Sequence, residues 1–409
     1  MNKKIILIMA VICISIFICG CGNQQPSKVD DSKATSENVN DVVGANNNFA
    51  FELFSKYKSD EGNIFFSPYS ISTALAMTYE GARGKTAEEM KNVFHFPDDE
   101  LSRRSAYARL YNEINKKDKG YKLSTANALW GQKDFSFLKS YTDTIGNYYG
   151  GKIQNLDFKT ETEKSRQTIN NWVEGQTNNK IKDLIPKGIL NPLTRLVLTN
   201  AIYFKGTWVK QFDKGKTKDE DFRTKSGTVK APMMRLTGNE AKFNYSENDK
   251  LQILEMPYEG EELSMLIILP KDDTANFDLT LEALNQLKGM LVEQRVNVYI
   301  PKFKFDTKYF MSKTLGEMGM PTAFSDEADF SGITLEEPLH ISAVIHQAFV
   351  EVNEEGTEAA AATGVVLAAK SAMPSQVPEF RADHPFIFII QQKETGNILF
   401  MGRVADPTK

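Results

Sequence analysis

The chain has 409 residues, of which 41% are hydrophobic and 25% charged, a composition typical of a globular protein with a sizeable core. It excludes a disordered chain and a protein with many membrane spans. With 49 basic and 53 acidic residues the formal net charge is -4, so no overall positive field is present to hold nucleic acid, and we expect no nucleic-acid partner.

The first 21 residues have the pattern of a secretory leader. Lys3 and Lys4 precede an apolar run from Ile5 to Cys19, which is too short to cross a bilayer of roughly 30 Å comfortably. The run ends in Ile18-Cys19-Gly20-Cys21, which resembles the bacterial lipobox. This resemblance implies that residues 1–20 are a lipoprotein signal peptide and that Cys21 is lipidated. An ordinary cleaved signal peptide is the alternative.

Residues 21–47 are predicted to form a flexible tether, because the sequence from Gly22 to Asn48 is polar with almost no apolar periodicity. Such a tether would hold a domain on the order of 25 to 30 Å from the lipid. We therefore expect a lipid-anchored protein of the cell envelope or cell surface, with its domain outside the cytoplasm.

Residues 48–409 are predicted to form one domain, since no second low-complexity stretch divides them. Helical periodicity occurs at Ser70–Tyr79, Glu88–Val93, Arg104–Ile114, Ser165–Gln176, Leu281–Leu287 and Phe310–Met318. Strand-like runs occur at Leu196–Phe204, Leu251–Met256, Leu263–Leu269, Val296–Ile300, Phe386–Ile390 and Ile398–Met401. Helices dominate the first half and strands the second, which predicts an α+β fold.

Common catalytic and metal-binding motifs are missing from the sequence. All three cysteines, Cys13, Cys19 and Cys21, lie in the leader, so a disulfide framework or a cysteine nucleophile beyond residue 21 is excluded. The four histidines are scattered, and neither H-E-x-x-H nor G-x-S-x-G occurs. We therefore expect no metal, no cofactor and no enzymatic activity.

The most unusual composition lies in residues 351–378, where four alanines follow an acidic stretch. Taken alone, Thr357 and the alanines Ala359 to Ala362 favour the start of a helix, but Gly364 and the β-branched pair Val365-Val366 would cut it short. A loop of some twenty residues in a compact domain is usually functional or disordered.

This segment resembles the hinge of the inhibitory serpins, the serine-protease inhibitors that trap their target. The matching residues are Glu354, Glu355, Gly356, Thr357, Glu358, Ala359, Ala360, Ala361, Ala362 and Thr363. Residues 63–71, 81–86, 198–208 and 383–388 are similar to further family signatures, in the family's order. The resemblance covers about residues 48 to 406 and implies a monomer with three β-sheets, about nine helices and an exposed reactive-centre loop.

The resemblance implies that a protease cuts the loop and that residues 356–369 then enter the large sheet as a new strand. Alternation along a strand predicts that Thr357, Ala359, Ala361, Thr363, Val365 and Leu367 point to the core. The other side chains, from Glu358 to Ala368, would face solvent. The inward set carries no charge, as the cost of burying an unpaired carboxylate requires.

Other matched positions lie along the path of that insertion. By resemblance, Ser67, Ser70, Asn200 and His346 form a buried polar cluster beneath the large sheet, and Trp208 is the aromatic residue where the loop enters. Lys302 matches the partner of Glu354 at the base of the loop, which as a surface pair would contribute at most about 1 kcal/mol.

The family spacing of fourteen residues beyond Gly356 places the reactive bond at Lys370-Ser371, which suits a trypsin-like protease. Ala369, Ala372 and Met373 stay open as alternatives. The expected partners are extracellular serine proteases, and the membrane through the lipid anchor only. Inhibition of elastase-like or cysteine proteases, and a non-inhibitory role as a surface binding protein or chaperone, are the other hypotheses.

Overall fold

The computed structural model describes residues 28–116, 119–272, 279–336, 338–357 and 377–409. The predicted signal peptide, Cys21, hinge residues 358–363 and the reactive bond Lys370-Ser371 lie outside the described residues.

Eight α-helices lie in the described part of the chain, where the resemblance implied about nine. They are α1 (Ser36–Tyr57), α2 (Pro68–Tyr79), α3 (Gly84–Phe94), α4 (Glu100–Ile114), α5 (Lys139–Tyr148), α6 (Thr162–Gln176), α7 (Leu281–Gly289) and α8 (Ser312–Met318). No helix in the described ranges is both long and apolar enough to cross a membrane.

Strands dominate the second half of the chain. They are β1 (Ile64–Phe66), β2 (Tyr121–Gln132), β3 (Lys152–Leu156), β4 (Leu196–Thr207), β5 (Lys218–Thr224), β6 (Gly227–Leu236), β7 (Lys242–Glu247), β8 (Leu251–Pro257), β9 (Leu263–Pro270), β10 (Val292–Arg295), β11 (Asn297–Pro301), β12 (Phe303–Phe310), β13 (Ile341–Asn353), β14 (Gly356–Thr357), β15 (Glu379–Arg381), β16 (Phe386–Gln392) and β17 (Ile398–Val404).

The strands form three sheets, which confirms the α+β prediction. A seven-stranded sheet has the order β1-β17-β16-β9-β8-β7-β10, and a four-stranded sheet has the order β15-β11-β6-β5. The six-stranded sheet has the order β12-β13-β14-β4-β2-β3. Its neighbours β4 and β13 run parallel and pair directly from Ile341 opposite Leu196 to Phe349 opposite Tyr203. We call this boundary the seam.

The two faces of the six-stranded sheet are both covered. On β4, Leu198, Ile202 and Phe204 belong to the main core. The alternate residues Val197, Ala201 and Tyr203 belong to a second apolar cluster together with Ile169 and Val173 of α6. The expectation that this second face is open to solvent is therefore wrong for its middle part, because α6 packs on it.

The predicted tether is wrong for residues 36–47, which lie in α1. Thr35 and Asn38 form a capping box at its start, and Val39, Val42 and Val43 are buried at helical spacing. The asparagine run that favoured a linker is part of the packing, because Asn46 Nδ2 donates to the Ile398 carbonyl oxygen at 3.0 Å.

One predicted helix begins too early. Phe310 is the last residue of β12, where it pairs with Ile345, and the helix starts only at Ser312. The ladder with β13 outweighs the helical periodicity at this position.

Candidate functional site at the hinge and the seam

The chain returns into the six-stranded sheet immediately after β13. Gly356 pairs with Asn353 on one side and with Thr207 of β4 on the other, so β14 lies between β13 and β4. The backbone amide of Trp208 donates to the Glu355 carbonyl oxygen at 2.8 Å. The hinge residues Gly356 and Thr357 therefore already occupy the upper end of the seam.

The side chain of Trp208 packs where β14 enters the sheet between β13 and β4. Its buried indole stacks on Tyr258 with the ring centroids 4.4 Å apart, and its Nε1 donates to the Asn353 carbonyl oxygen at 3.1 Å. The Tyr258 hydroxyl lies 2.7 Å from Thr357 Oγ1. Thr357 is only 1% exposed, so its side chain has the inward orientation that strand alternation predicted.

Gly356 is the position where the hinge approaches β4 most closely. A Cβ atom there would lie 2.0 Å from the Gly206 carbonyl oxygen, and the φ of +156° is one that other residues rarely adopt. The hinge can therefore enter the sheet here only because residue 356 has no side chain.

Two carboxylates hold the base of the hinge. Lys302 Nζ lies 2.9 Å from Glu354 Oε2, Thr217 Oγ1 donates to Glu354 Oε1 at 2.8 Å, and Lys214 contacts Glu355. Burial alone would raise the pKa of Glu354, but the hydrogen bonds from Lys302 and Thr217 and the charge of Lys302 hold that pKa below its ordinary value.

The expectation that Glu354 and Lys302 form a surface pair is wrong. The Glu354 side chain is 4% exposed, although that of Lys302 is 39% exposed. A buried carboxylate has lost its hydration, so removing its partner costs more than breaking an exposed pair.

A buried polar cluster crosses the seam below the hinge. We call it the seam cluster; its members are Ser67, Ser70, Asn127, Asn200 and His346. Asn200 of β4 and His346 of β13 are direct partners across the seam, and the ring Nδ1 of His346 contacts Asn200 Oδ1. Asn200 Nδ2 donates to Ser70 Oγ at 2.6 Å, and Ser67 Oγ donates to the Leu399 carbonyl oxygen at 2.6 Å.

The hydrogen bonds fix the tautomer of His346. The backbone amide of Ser67 donates to Nε2 at 3.1 Å, so Nε2 carries no proton. Nδ1 carries the proton and donates to Asn200. Burial lowers the pKa of His346 to about 3, so the ring is neutral near pH 7.

Asn127 is the member of the cluster that sequence reasoning missed. It lies on β2 opposite Asn200, and its Oδ1 accepts from Ser70 Oγ at 3.0 Å. An asparagine in the middle of the run Leu123 to Trp130 was the only available signal, since asparagine is uncommon inside strands.

In the described ranges no group of three or more His, Cys, Asp or Glu side chains could hold a metal ion. The polar groups at the seam and hinge instead form hydrogen bonds between neighbouring strands. A change in strand pairing would break these hydrogen bonds, so the site is built for such a change and not for metal binding.

The fold and the hinge define a class of α+β protein in which the segment after a long strand turns back into the same sheet. The family model described as serpin (serine protease inhibitor) matches residues 44–407. An uncharacterized serpin-like protein of Thermococcus kodakarensis is 45% identical over 371 residues, covering 90% of this chain and 86% of its own. Leukocyte elastase inhibitor A of Rattus norvegicus is 41% identical, covering 90% and 99% of the two chains.

Solved structures agree with the sequence matches. Human thyroxine-binding globulin, solved with its thyroxine ligand, has a TM-score of 0.82 and 31% sequence identity, covering 91% of this chain and 100% of its own. This chain belongs to the serpin family, whose members are in general protease inhibitors, although some are not inhibitory.

Proposed function

We propose that this protein is a covalent, suicide-type inhibitor of extracellular trypsin-like serine proteases. The observation that carries the proposal is the position of β14, because the hinge already lies in register between β4 and β13. A loop cleaved beyond the hinge needs only to continue along that register.

Continuing the register predicts a specific partner for each loop residue. Thr357 lies opposite Gly206 and Val352, so Thr363 would lie opposite both Asn200 and His346. The inserted strand would thus separate the two side chains that cross the seam, and its threonine hydroxyl would stand between them as a donor and acceptor.

The same register supports the composition of the loop. The inward residues Ala359, Ala361 and Val365 would lie opposite Phe204, Ile202 and Leu198 of the main core. On the other face, Ala360 and Ala362 would lie opposite Tyr203 and Ala201 of the second apolar cluster, where small side chains limit crowding. Glu358 would lie between Lys205 of β4 and Glu351 of β13, and Glu351 is itself paired with Lys304.

The chemistry of trapping follows from cleavage at Lys370-Ser371. The serine oxygen of the protease attacks the Lys370 carbonyl, the bond to the Ser371 nitrogen breaks, and that nitrogen leaves with a proton from the protease histidine. An ester then joins Lys370 to the protease. Insertion of the segment between Thr357 and the cut bond, which continues β14 to a strand of roughly 45 Å, pulls the acylated protease along the sheet and distorts its oxyanion hole before water completes the reaction.

The leader supports a position at the cell surface. Residues 1–20 act as the signal peptide, and lipidation of Cys21 anchors the domain to a membrane with the loop outside the cytoplasm. The protein acts as a monomer, because one chain supplies the loop, the hinge and the sheet.

A test is incubation with trypsin followed by denaturing electrophoresis. The expected result is a stable band at the summed mass of the two proteins less the fragment 371–409, with Ser371 as the N-terminus of that released fragment. A matched Lys370→Glu variant should lose the complex with trypsin. Nicked protein with fully active trypsin would contradict inhibition and favour a binding role, as in thyroxine-binding globulin.

A further inference from the structure

A short N-terminal segment, residues 28–35, ties the start of the described chain to α4 and α5. We call it the strap. The Val29 backbone amide donates to Asn112 Oδ1 at 3.0 Å, and the Val29 carbonyl oxygen accepts from Asn112 Nδ2 at 2.8 Å. The Asp30 amide donates to the Asn147 carbonyl oxygen at 2.7 Å, and the Val29 side chain is buried. The chain therefore leaves the folded body at a fixed place.

That place lies at one edge of the six-stranded sheet. Asn147 is in α5, which contacts β3, the last strand on this side. The opposite edge is β12, four strand spacings away where β4 and β13 pair directly, or roughly 19 Å. The described chain thus begins on the side of the β3 edge.

Few residues separate the strap from Cys21. Seven peptide steps join Cys21 to Lys28, a distance of at most about 25 Å in extended chain. A domain of this size has a diameter of roughly 50 to 55 Å. A lipid on Cys21 therefore keeps the strap within reach of the bilayer and excludes orientations in which the β12 edge faces it.

We propose that the side formed by the strap, α4 and α5 is the surface that faces the lipid bilayer. This inference rests on the proposed lipid anchor at Cys21. Three ion pairs on this side join residues of the same segment and so add little net charge toward the bilayer. They are Lys28 with Asp31, Arg109 with Glu113 and Lys139 with Asp143.

The orientation has a consequence for inhibition. With the β3 edge toward the lipid, the strands of the six-stranded sheet run parallel to the bilayer. The hinge at the upper end of the seam and the lower end near Leu196 then lie at similar heights. An acylated protease carried along the sheet travels beside the membrane and does not collide with it.

The experiment uses the full lipidated chain in vesicles of phosphatidylcholine and phosphatidylglycerol that contain nitroxide-labelled lipid. Once Cys21 is lipidated, the mature chain has no other cysteine, so one introduced cysteine carries the fluorophore. One probe is placed at Asn147→Cys, whose side chain is exposed on α5, and the matched probe at Lys313→Cys, exposed on α8 just beyond β12.

The expected result is at least threefold stronger lipid quenching at residue 147 than at residue 313. Equal quenching, or stronger quenching at residue 313, would overturn the assigned surface while leaving the anchor intact. Failure of the chain to float with the vesicles would overturn the anchor itself, and the surface with it.

A second pair of variants tests the strap. Asn112→Ala removes both bonds to Val29 and should bring the quenching ratio of the two probes toward one. Asn115→Ala is the control, since Asn115 Nδ2 donates only to the Tyr111 carbonyl oxygen of its own helix, and it should leave the ratio unchanged. Thermal melting of both variants shows that the domain is folded. An unchanged ratio in Asn112→Ala would contradict the role of the strap.

Discussion

His346 shows at the scale of one residue how the closed seam depends on protonation. Its Nε2 accepts from the Ser67 amide, and its Nδ1 donates to Asn200. A second proton on the ring would place two donors against each other at Ser67, in a site without solvent. The neutral ring is therefore part of what joins β13 to β4.

Acid should weaken the native state through this residue. The pKa is about 3 in the folded chain and about 6.5 when unfolded, so the unfolded chain binds more protons between these values. The contribution to stability is complete above pH 6.5 and falls by up to about 1.4 kcal/mol per pH unit below it. Urea unfolding at pH 7.5, 6 and 5 measures the slope.

The controls for this prediction are two histidine variants. His346→Gln should reduce the fall in the free energy of unfolding between pH 7.5 and 5. His95→Gln, at a partly exposed surface position, should leave that fall unchanged. The same slope in wild type and His346→Gln would show that protonation of His346 does not control the seam.

Lys302 supplies a second prediction at the residue scale. Lys302→Met leaves the Glu354 carboxylate buried with Thr217 as its remaining hydrogen-bond donor, and should lower the free energy of unfolding by about 1 to 3 kcal/mol. Lys304→Met is the matched control, because its pair with Glu351 is more exposed and contributes less than about 1 kcal/mol. An equal loss of the free energy of unfolding in the two variants would mean that Lys302 stabilises the buried Glu354 carboxylate no more than an exposed ion pair does.

At the scale of elements, β14 determines which loop residues face the core. Thr357 lies in the main core beside Tyr258. A segment that inserts as a continuation of β14 would alternate its side chains between the two faces, starting from this inward orientation. Since a register shift of one residue would bring Glu358 into the core, the hinge must enter in this register alone.

Thr357 is already buried before the cut, so Thr357→Arg should first expel the hinge from the sheet. Insertion of the cut loop would then have to bury the guanidinium at a cost of several kcal/mol, and the variant should therefore be a substrate and not an inhibitor. The number of inhibitor molecules consumed per trypsin inactivated should rise at least tenfold. Glu358→Arg changes the neighbouring residue on the other face and should leave this number near the wild-type value. Similar behaviour of the two variants would contradict the register.

The elements also show how far the sequence predicts the fold. Strands β8, β9, β16 and β17 are nearly continuous apolar runs buried on both faces, and these were predicted. β5 and β6 were missed because their exposed faces carry charged and polar residues that hide the alternation. α1 was missed because Asn46, which resembles linker sequence, is buried and donates to the distant Ile398 carbonyl oxygen.

The same limit applies to the site. The hinge positions and four members of the seam cluster came from resemblance to a family, since nothing in their local pattern places Ser67 beside His346, 279 residues away. Asn127 and the burial of Glu354 depend on long-range packing, and local sequence does not encode either. Local propensity favoured a helix start at Thr357, but strand pairing on both sides of β14 decides its conformation.

At the scale of the whole molecule, Gly356 and Thr357 are the described hinge residues that lie in the sheet. Below them β4 and β13 pair in parallel, with buried polar side chains crossing the seam. Full insertion would replace this one ladder by two antiparallel ladders, which pair slightly more favourably per residue. The native chain is therefore expected to lie above its most stable state.

The most direct test is the thermal unfolding of the protein before and after a single cut in the loop. Roughly ten or more additional backbone hydrogen bonds, at about 1 kcal/mol each, predict that the cut chain melts some 10 °C or more above the intact chain. A cut chain that melts at or below the temperature of the intact one would contradict insertion into the seam.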